Sequence, residues 1–214
     1  MLKDLSLPYV LKVPSGRPDT DELPLIVVLH GRGADANDLA DLAQYLDGGY
    51  RFVFPNAPKP FVPMPGYSFG FTWFDGWPAE HMSLLASRNL LLTFLREITA
   101  RYPSPPGKVV LAGFSQGGLM SIDVGFRTEI ELAGIVVMSG ALYEQDLPPF
   151  SAIPVLIAHG SEDDVIPILA AQRARSVLEE HGVSVEYNEY VMGHQVSEES
   201  MRAVSEFLRA KLKL

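Results

Sequence analysis

Ser115 stands in the run Gly113-Phe114-Ser115-Gln116-Gly117, with a glycine two residues to either side. The preceding stretch, Lys108 to Ala112, is apolar and rich in β-branched residues, the pattern of a buried strand. The following stretch, Gln116 to Arg127, reads as a helix. A serine at such a strand-to-helix bend is forced into a strained backbone conformation that leaves its oxygen exposed, and only small neighbours fit the turn. A hydroxyl placed this way can attack a carbonyl, provided that a base takes its proton and an acid orients the base. The competing reading is an ordinary helix N-cap, in which the hydroxyl turns back onto the helix amides.

Five histidines are available as the base. His30 and His159 each end an apolar run and precede glycine, which suits hydrogen bonding to the backbone of a turn. His81 opens a helical stretch, and His181 closes one in Glu179-Glu180-His181-Gly182. His194 lies on a late loop, in Val191-Met192-Gly193-His194-Gln195-Val196, between the last strand pattern and the last helix. It is the expected base. The acid should follow another strand, and Pro154 to His159 leads into Gly160-Ser161-Glu162-Asp163-Asp164. Spacing alone does not choose among those three carboxylates. Negative charge developing on the carbonyl oxygen calls for N–H donors. Gln116, at the head of its helix, supplies one, and the loop His30-Gly31-Arg32-Gly33 after the first long strand should supply the other.

These groups must be carried to one edge of a sheet. Leu23 to His30, Arg51 to Phe54, Lys108 to Ala112, Gly134 to Met138 and Pro154 to His159 are strands of the kind buried on both faces. Ser184 to Tyr190 alternates more and belongs nearer an edge, and Tyr9 to Val13 reads as an early antiparallel edge strand. Helical spacing marks Ala36 to Leu46, Met82 to Tyr102, Gln116 to Arg127, Ile168 to His181 and Ser197 to Lys211. Alternation of this kind predicts an α/β fold, with a mainly parallel central sheet flanked by helices. The chain order serine, acid, histidine is that of an α/β-hydrolase. The length suits a single domain over 1–214 without a large cap domain. The segment from Asn56 to His81, dense in proline and aromatics, is too long for an ordinary connection and is expected to have a role of its own.

Leu29-His30-Gly31-Arg32-Gly33-Ala34-Asp35, Gly113 to Gly118, His159 to Pro167 and Gly193-His194-Gln195, in this order, resemble the phospholipase/carboxylesterase family of small α/β-hydrolases. Asn56-Ala57-Pro58 and Trp73-Phe74-Asp75 extend the likeness over nearly the whole chain. That family includes acyl-protein thioesterases and bacterial carboxylesterases. The resemblance implies a serine hydrolase that cleaves esters or thioesters of short to medium acyl chains through an acyl-enzyme. Its pattern H-G-x-x-D-x-x-[IV]-P falls on His159, Gly160, Asp163, Ile166 and Pro167, and so favours Asp163 as the acid. It also places the second oxyanion donor at the Arg32 amide. Family members often carry an apolar residue there, and the arginine side chain is expected to point to solvent. Trp73 and Phe71 are expected to line an apolar acyl pocket. The alternatives are a serine peptidase and a non-catalytic binding module on a hydrolase scaffold.

Composition narrows the rest. There is no cysteine, which excludes disulfides, a cysteine nucleophile and thiolate metal sites. The net charge of -9 and the lack of a basic cluster argue against nucleic acid and anionic membrane surfaces as partners. No apolar run is long enough to span a bilayer. No metal cluster is visible, and the chemistry above needs no cofactor. A cytoplasmic protein acting on a small acyl ester or thioester is the expectation, and aromatics beside the groove could support a homodimer.

Overall fold

Side chains along a strand point alternately to the two faces of its sheet, so an unbroken apolar strand must be covered on both. Leu25, Val27 and Leu29 belong to one apolar core, and Ile26 and Val28 to another. Val109 and Leu111 divide from Val110 and Ala112 in the same way. The computed structural model that shows this describes residues 1–14, 18–46 and 49–213. Its elements run β1 (Tyr9–Lys12), β2 (Leu25–Leu29), a short 3-10 helix (Ala40–Gln44), β3 (Arg51–Pro55), β4 (Lys59–Pro60), β5 (Phe71–Thr72) and α1 (His81–Arg101). They continue with β6 (Val109–Phe114), α2 (Gln116–Gly125), β7 (Leu132–Met138), β8 (Val155–Gly160), α3 (Ile168–Glu180), β9 (Val185–Tyr190) and α4 (Glu198–Leu212).

Seven strands form one sheet in the order β1-β3-β2-β6-β7-β8-β9. Only β1 is antiparallel, pairing Tyr9 with Pro55 at one edge, and β9 forms the other edge beside β8. From β2 the chain steps outward to β3 and later returns to β6 on the other side of β2. Such a switch point opens a crevice beyond the C-terminal strand ends, where ligands bind in open α/β sheets. Leu29 pairs with Gly113 at that point, so the loops after β2 and β6 emerge side by side.

Helices α1, α2 and α3 cover one face through residues such as Leu91, Phe94, Ile122 and Leu178. Helix α4 covers the other with Val204, Phe207 and Leu208. The helix expected over Ala36 to Leu46 is not formed. Its place is taken by turns and the 3-10 helix, whose bonds run three residues back, as from Leu42 N–H to Leu39 O at 3.0 Å. Short polar side chains explain this, because they compete for the backbone. Asp35 Oδ1 takes the Asn37 N–H at 2.7 Å, and Asn56 Oδ1 takes the Ala36 N–H at 2.9 Å. The long segment before α1 holds the small β4–β5 hairpin, joined through Lys59 and Thr72. Among the described residues no helix is long and apolar enough to cross a membrane.

A buried ionic cluster ties α1 and α2 to the loop after β7. Arg88, 7% exposed, grips both oxygens of Asp123, 2% exposed, at 2.7 Å and reaches Asp146 Oδ2 at 2.7 Å. Arg127 adds a bond to the Asp146 carbonyl at 2.8 Å. Removing one member of a buried pair leaves the other charge uncompensated, which costs far more than the pair contributes. Asp123→Ala should therefore lower stability by about 3–5 kcal/mol in urea unfolding. Removing the more exposed carboxylate, in Asp146→Ala, should cost no more than about 1 kcal/mol.

Two strand-end histidines are also buried, His30 after β2 and His159 within β8. Burial pushes both imidazole pKa values below the ordinary value of 6.5, outweighing their hydrogen bonds to Gly31 and Ile166. The folded state therefore resists protons that the unfolded chain accepts. Their contribution is complete above the unfolded pKa of about 6.5 and is lost as the pH falls below it. The melting temperature should fall on acidification from about pH 7 to 5, and His30→Gln should flatten that slope.

Candidate active site

The bend at Ser115 has the strain that its sequence context predicts. Its φ is 57° and ψ is −119°, a positive φ that a side chain rarely adopts. Glycines make the bend possible. A Cβ on Gly113 would lie 2.2 Å from Gly117 O, and one on Gly117 would lie 2.2 Å from Leu29 O. Gly118 is tight rather than blocked, with Gly113 O at 3.2 Å. The Ser115 N–H donates to Met138 O at 2.9 Å, which moors the bend to β7. Ser115 occupies the N-cap position of α2, but its side chain makes no capping bond. The N-cap reading of the hydroxyl therefore fails.

Its Oγ instead lies 2.9 Å from His194 Nε2. On the far side of the ring, Nδ1 lies 2.8 Å from Asp163 Oδ2. A nitrogen facing a carboxylate carries the proton, so Nδ1–H donates to Asp163 and Nε2 is free to accept from the Ser115 hydroxyl. The Phe114 ring packs 4.9 Å from the imidazole. The loop bearing His194 comes this close because Gly160 has no side chain, a Cβ there meeting Met192 O at 2.2 Å. Glu162 N–H donates to Met192 O at 3.1 Å, and Ser139 Oγ donates to Gln195 O at 3.3 Å, holding the same loop.

Burial separates the three candidate carboxylates. Asp163 is buried, whereas Glu162 and Asp164 are exposed. The other oxygen of Asp163, Oδ1, accepts the Val165 N–H at 2.9 Å and the Ile166 N–H at 2.8 Å. Its side chain thus forms the turn and faces the imidazole together.

The loop after β2 lies against the serine: a Cβ on Gly31 would sit 3.3 Å from Ser115 Cβ. Gly33 N–H donates to Phe71 O at 2.8 Å, and Phe71 N–H donates to Ala34 O at 2.8 Å. Arg32 N–H, between them, makes no main-chain hydrogen bond among the described residues. Gln116 N–H belongs to the first turn of α2, whose amides have no acceptor within the helix. The Arg32 side chain is exposed but does not run freely into solvent. Its Nη2 donates to Gly76 O at 2.6 Å, and its guanidinium lies 6.0 Å from the Phe61 ring centre. Partial burial lowers its pKa, against the opposing pull of Asp75.

Trp73 does not line a pocket. It is 0% exposed, its indole N–H donates to His30 O at 2.8 Å, and its ring centre lies 5.5 Å from that of His30. The expectation missed that an indole combines a large apolar body with a donor, which suits it to a buried brace. Phe71 is half-buried against the same core and meets the site through its main chain. The sequence reading also missed the Gln116 side chain. Its Oε1 accepts the Trp73 N–H at 3.1 Å and stands 2.9 Å from the Thr72 hydroxyl, while Nε2 donates to Phe74 O at 2.8 Å. A glutamine between Ser115 and Gly117 in so tight a bend was the available signal, since an amide buried there needs partners. Among the described residues no three His, Asp or Glu side chains gather in a way that could hold a metal ion.

Comparison with known proteins identifies a family. The sequence model of the family described as Phospholipase/Carboxylesterase matches residues 16–212. Acyl-protein thioesterase 1 of Kluyveromyces lactis is 29% identical over 212 residues, covering 89% of this chain and 92% of that protein. Carboxylesterase SOBER1 of Arabidopsis thaliana is 27% identical over 178 residues, covering 76% of this chain and 77% of its own length. The crystal structure of esterase PE8 superposes with a TM-score of 0.82 at 29% identity, covering 97% of this chain and 99% of that one. With its strand order, its strained serine bend and this match over nearly all its length, the chain belongs to the phospholipase/carboxylesterase family of α/β-hydrolases.

Proposed function

We propose that the chain hydrolyses carboxylic esters or thioesters of short to medium acyl chains through an acyl-enzyme formed on Ser115. The observation that carries this reading is the unbroken relay from Ser115 Oγ through the His194 ring to Asp163, with contacts of 2.9 and 2.8 Å. Ser115 Oγ attacks the carbonyl carbon while His194 Nε2 takes its proton. Asp163 remains ionised, keeps the ring in the required tautomer and stabilises the imidazolium. The tetrahedral oxyanion is met by the Arg32 and Gln116 N–H groups, which lie at the loop and helix end beside the serine. His194 then passes the proton to the departing alkoxide or thiolate. A water molecule, deprotonated by the same nitrogen, attacks the acyl-enzyme and frees the acid, and Ser115 recovers its proton.

Support comes from both kinds of relative, since one is named a thioesterase and another a carboxylesterase. The two leaving groups present the same carbonyl to the same donors, so one site serves either. Among the described residues the connections between strands hold single helices and the short β4–β5 hairpin, which suits modest acyl groups.

A fluorophosphonate probe should label the wild type and spare Ser115→Ala, with both folded by circular dichroism. Hydrolysis of p-nitrophenyl acetate should fall by about 10⁴-fold or more in Ser115→Ala. An unlabelled wild type would remove the basis of this reading. Asp163→Asn should lower kcat by up to about 10⁴-fold, because an amide favours the wrong imidazole tautomer. A p-nitrophenyl series of increasing acyl length, run beside matched thioesters, measures the chain-length limit.

A further inference from the structure

We propose that His159 is a positioning residue for this reaction: it holds the Asp163 carboxylate in place for His194 and moderates how strongly that carboxylate grips the imidazolium. This rests on the hydrolase reading above and adds a second imidazole to it.

His159 is 0% exposed at the end of β8. Its Nε2 lies 2.7 Å from Ile166 O and 3.3 Å from Asp163 Oδ2. A ring nitrogen beside two oxygens must carry a proton, so Nε2–H donates to Ile166 O and directs its positive end towards the carboxylate. Nδ1 is then a bare lone pair, and among the described residues it is buried with no hydrogen-bond partner. A second proton there would find no acceptor, and burial already holds the ring below the ordinary imidazole pKa. His159 is therefore a fixed, neutral donor rather than a second base.

The ring closes a small circuit. It fixes the Ile166 carbonyl, and Ile166 N–H fixes Asp163 Oδ1 at 2.8 Å. The oxygen it faces directly, Oδ2, is the one that His194 Nδ1 approaches to 2.8 Å. Two imidazoles thus meet one carboxylate oxygen from different sides. Removing the His159 N–H has two consequences: the carboxylate is less firmly oriented, and its Oδ2 becomes a stronger partner for protonated His194. The charged and titratable groups around the pair are Asp163 and His194 themselves and Glu189 of β9. The Glu189 carboxylate is engaged by Gln172 at 2.9 Å and by Tyr187 at 2.8 Å. Glu162 and Asp164, beside Asp163, are exposed.

The test compares wild type, His159→Phe and His159→Gln in p-nitrophenyl acetate hydrolysis across the pH range. His159→Phe keeps a flat ring but no N–H. It should lower kcat by about tenfold with little change in KM, the size expected for losing a group that orients another. The acid limb of its kcat/KM profile should move to higher pH. His159→Gln, which can again offer an N–H, should recover much of kcat and return the limb towards wild type. A folded His159→Phe with wild-type kcat and an unmoved limb overturns the proposal. Should that variant not fold, nitrogen-15 histidine NMR of the wild type decides. The His159 Nε2–H signal should shift when a fluorophosphonate labels Ser115, and an unmoved signal overturns the proposal. A wild type that neither turns over the ester nor takes the label overturns the hydrolase reading itself, a result distinct from either.

Discussion

Every part of the site depends on a close approach of backbone to backbone where α2 meets the loop after β2. The first turn of α2 comes so near that a single methyl group on Gly117 would stand 2.2 Å from Leu29 O and 2.8 Å from His30 O. Two glycines in the bend allow that approach, and in-register pairing of Leu29 with Gly113 sets the level at which it happens. A helix N-terminus carries partial positive charge and unbonded amides. Pressing this end against the loop after β2 brings the first turn of α2 beside that loop, the arrangement on which the proposed pair of donors relies. The strain at Ser115, with φ of 57°, is held by its own amide bond to β7 and by Leu119 N–H on its carbonyl at 3.2 Å.

A second layer keeps that arrangement from relaxing. The segment between β3 and α1 wraps over the bend, and its contacts are made by buried polar groups. Gln116 joins it at three atoms, Trp73 holds the His30 carbonyl, and Ser87 on α1 donates to the Trp73 carbonyl. His30 completes the chain, donating to Gly31 O at 2.7 Å and accepting Ala57 N–H at 3.0 Å. A buried amide or imidazole with all its partners specifies one geometry, because any shift would strand a polar atom away from water. The aromatics here act as rigid struts as much as apolar filling.

How much could be read beforehand varied with the kind of signal. The parallel strands were legible because burial on both faces leaves uninterrupted apolar runs, and their ends locate the crevice. That Ser115 and His194 would meet followed from topology, one standing after a central strand and the other on a late loop. The choice of Asp163 over its neighbours is a matter of burial, and a run of three acidic residues does not reveal which one turns inward. Ala36 to Leu46 misled because helical spacing of apolar residues says nothing of the aspartate and asparagine side chains that take the local amides. Trp73 misled because aromatic character is the same in a pocket wall and in a brace. The approach of His159 to Asp163 needs the turn through Val165 and Ile166 to be seen, and no spacing rule encodes it.

The two oxygens of residue 163 answer to different masters: one is committed to the shape of its own loop, the other to the histidine ring. A descendant that had lost all activity would still have reason to retain that acid, since the loop would suffer without it. Its survival in a related sequence is accordingly a poor witness of function. The hydroxyl at 115 has no such secondary employment, for it caps nothing and sits on a distorted bend. Under the proposed mechanism drift would be expected to erase it first, which makes the strained serine the more telling character when distant members of this lineage are sorted into active and silent.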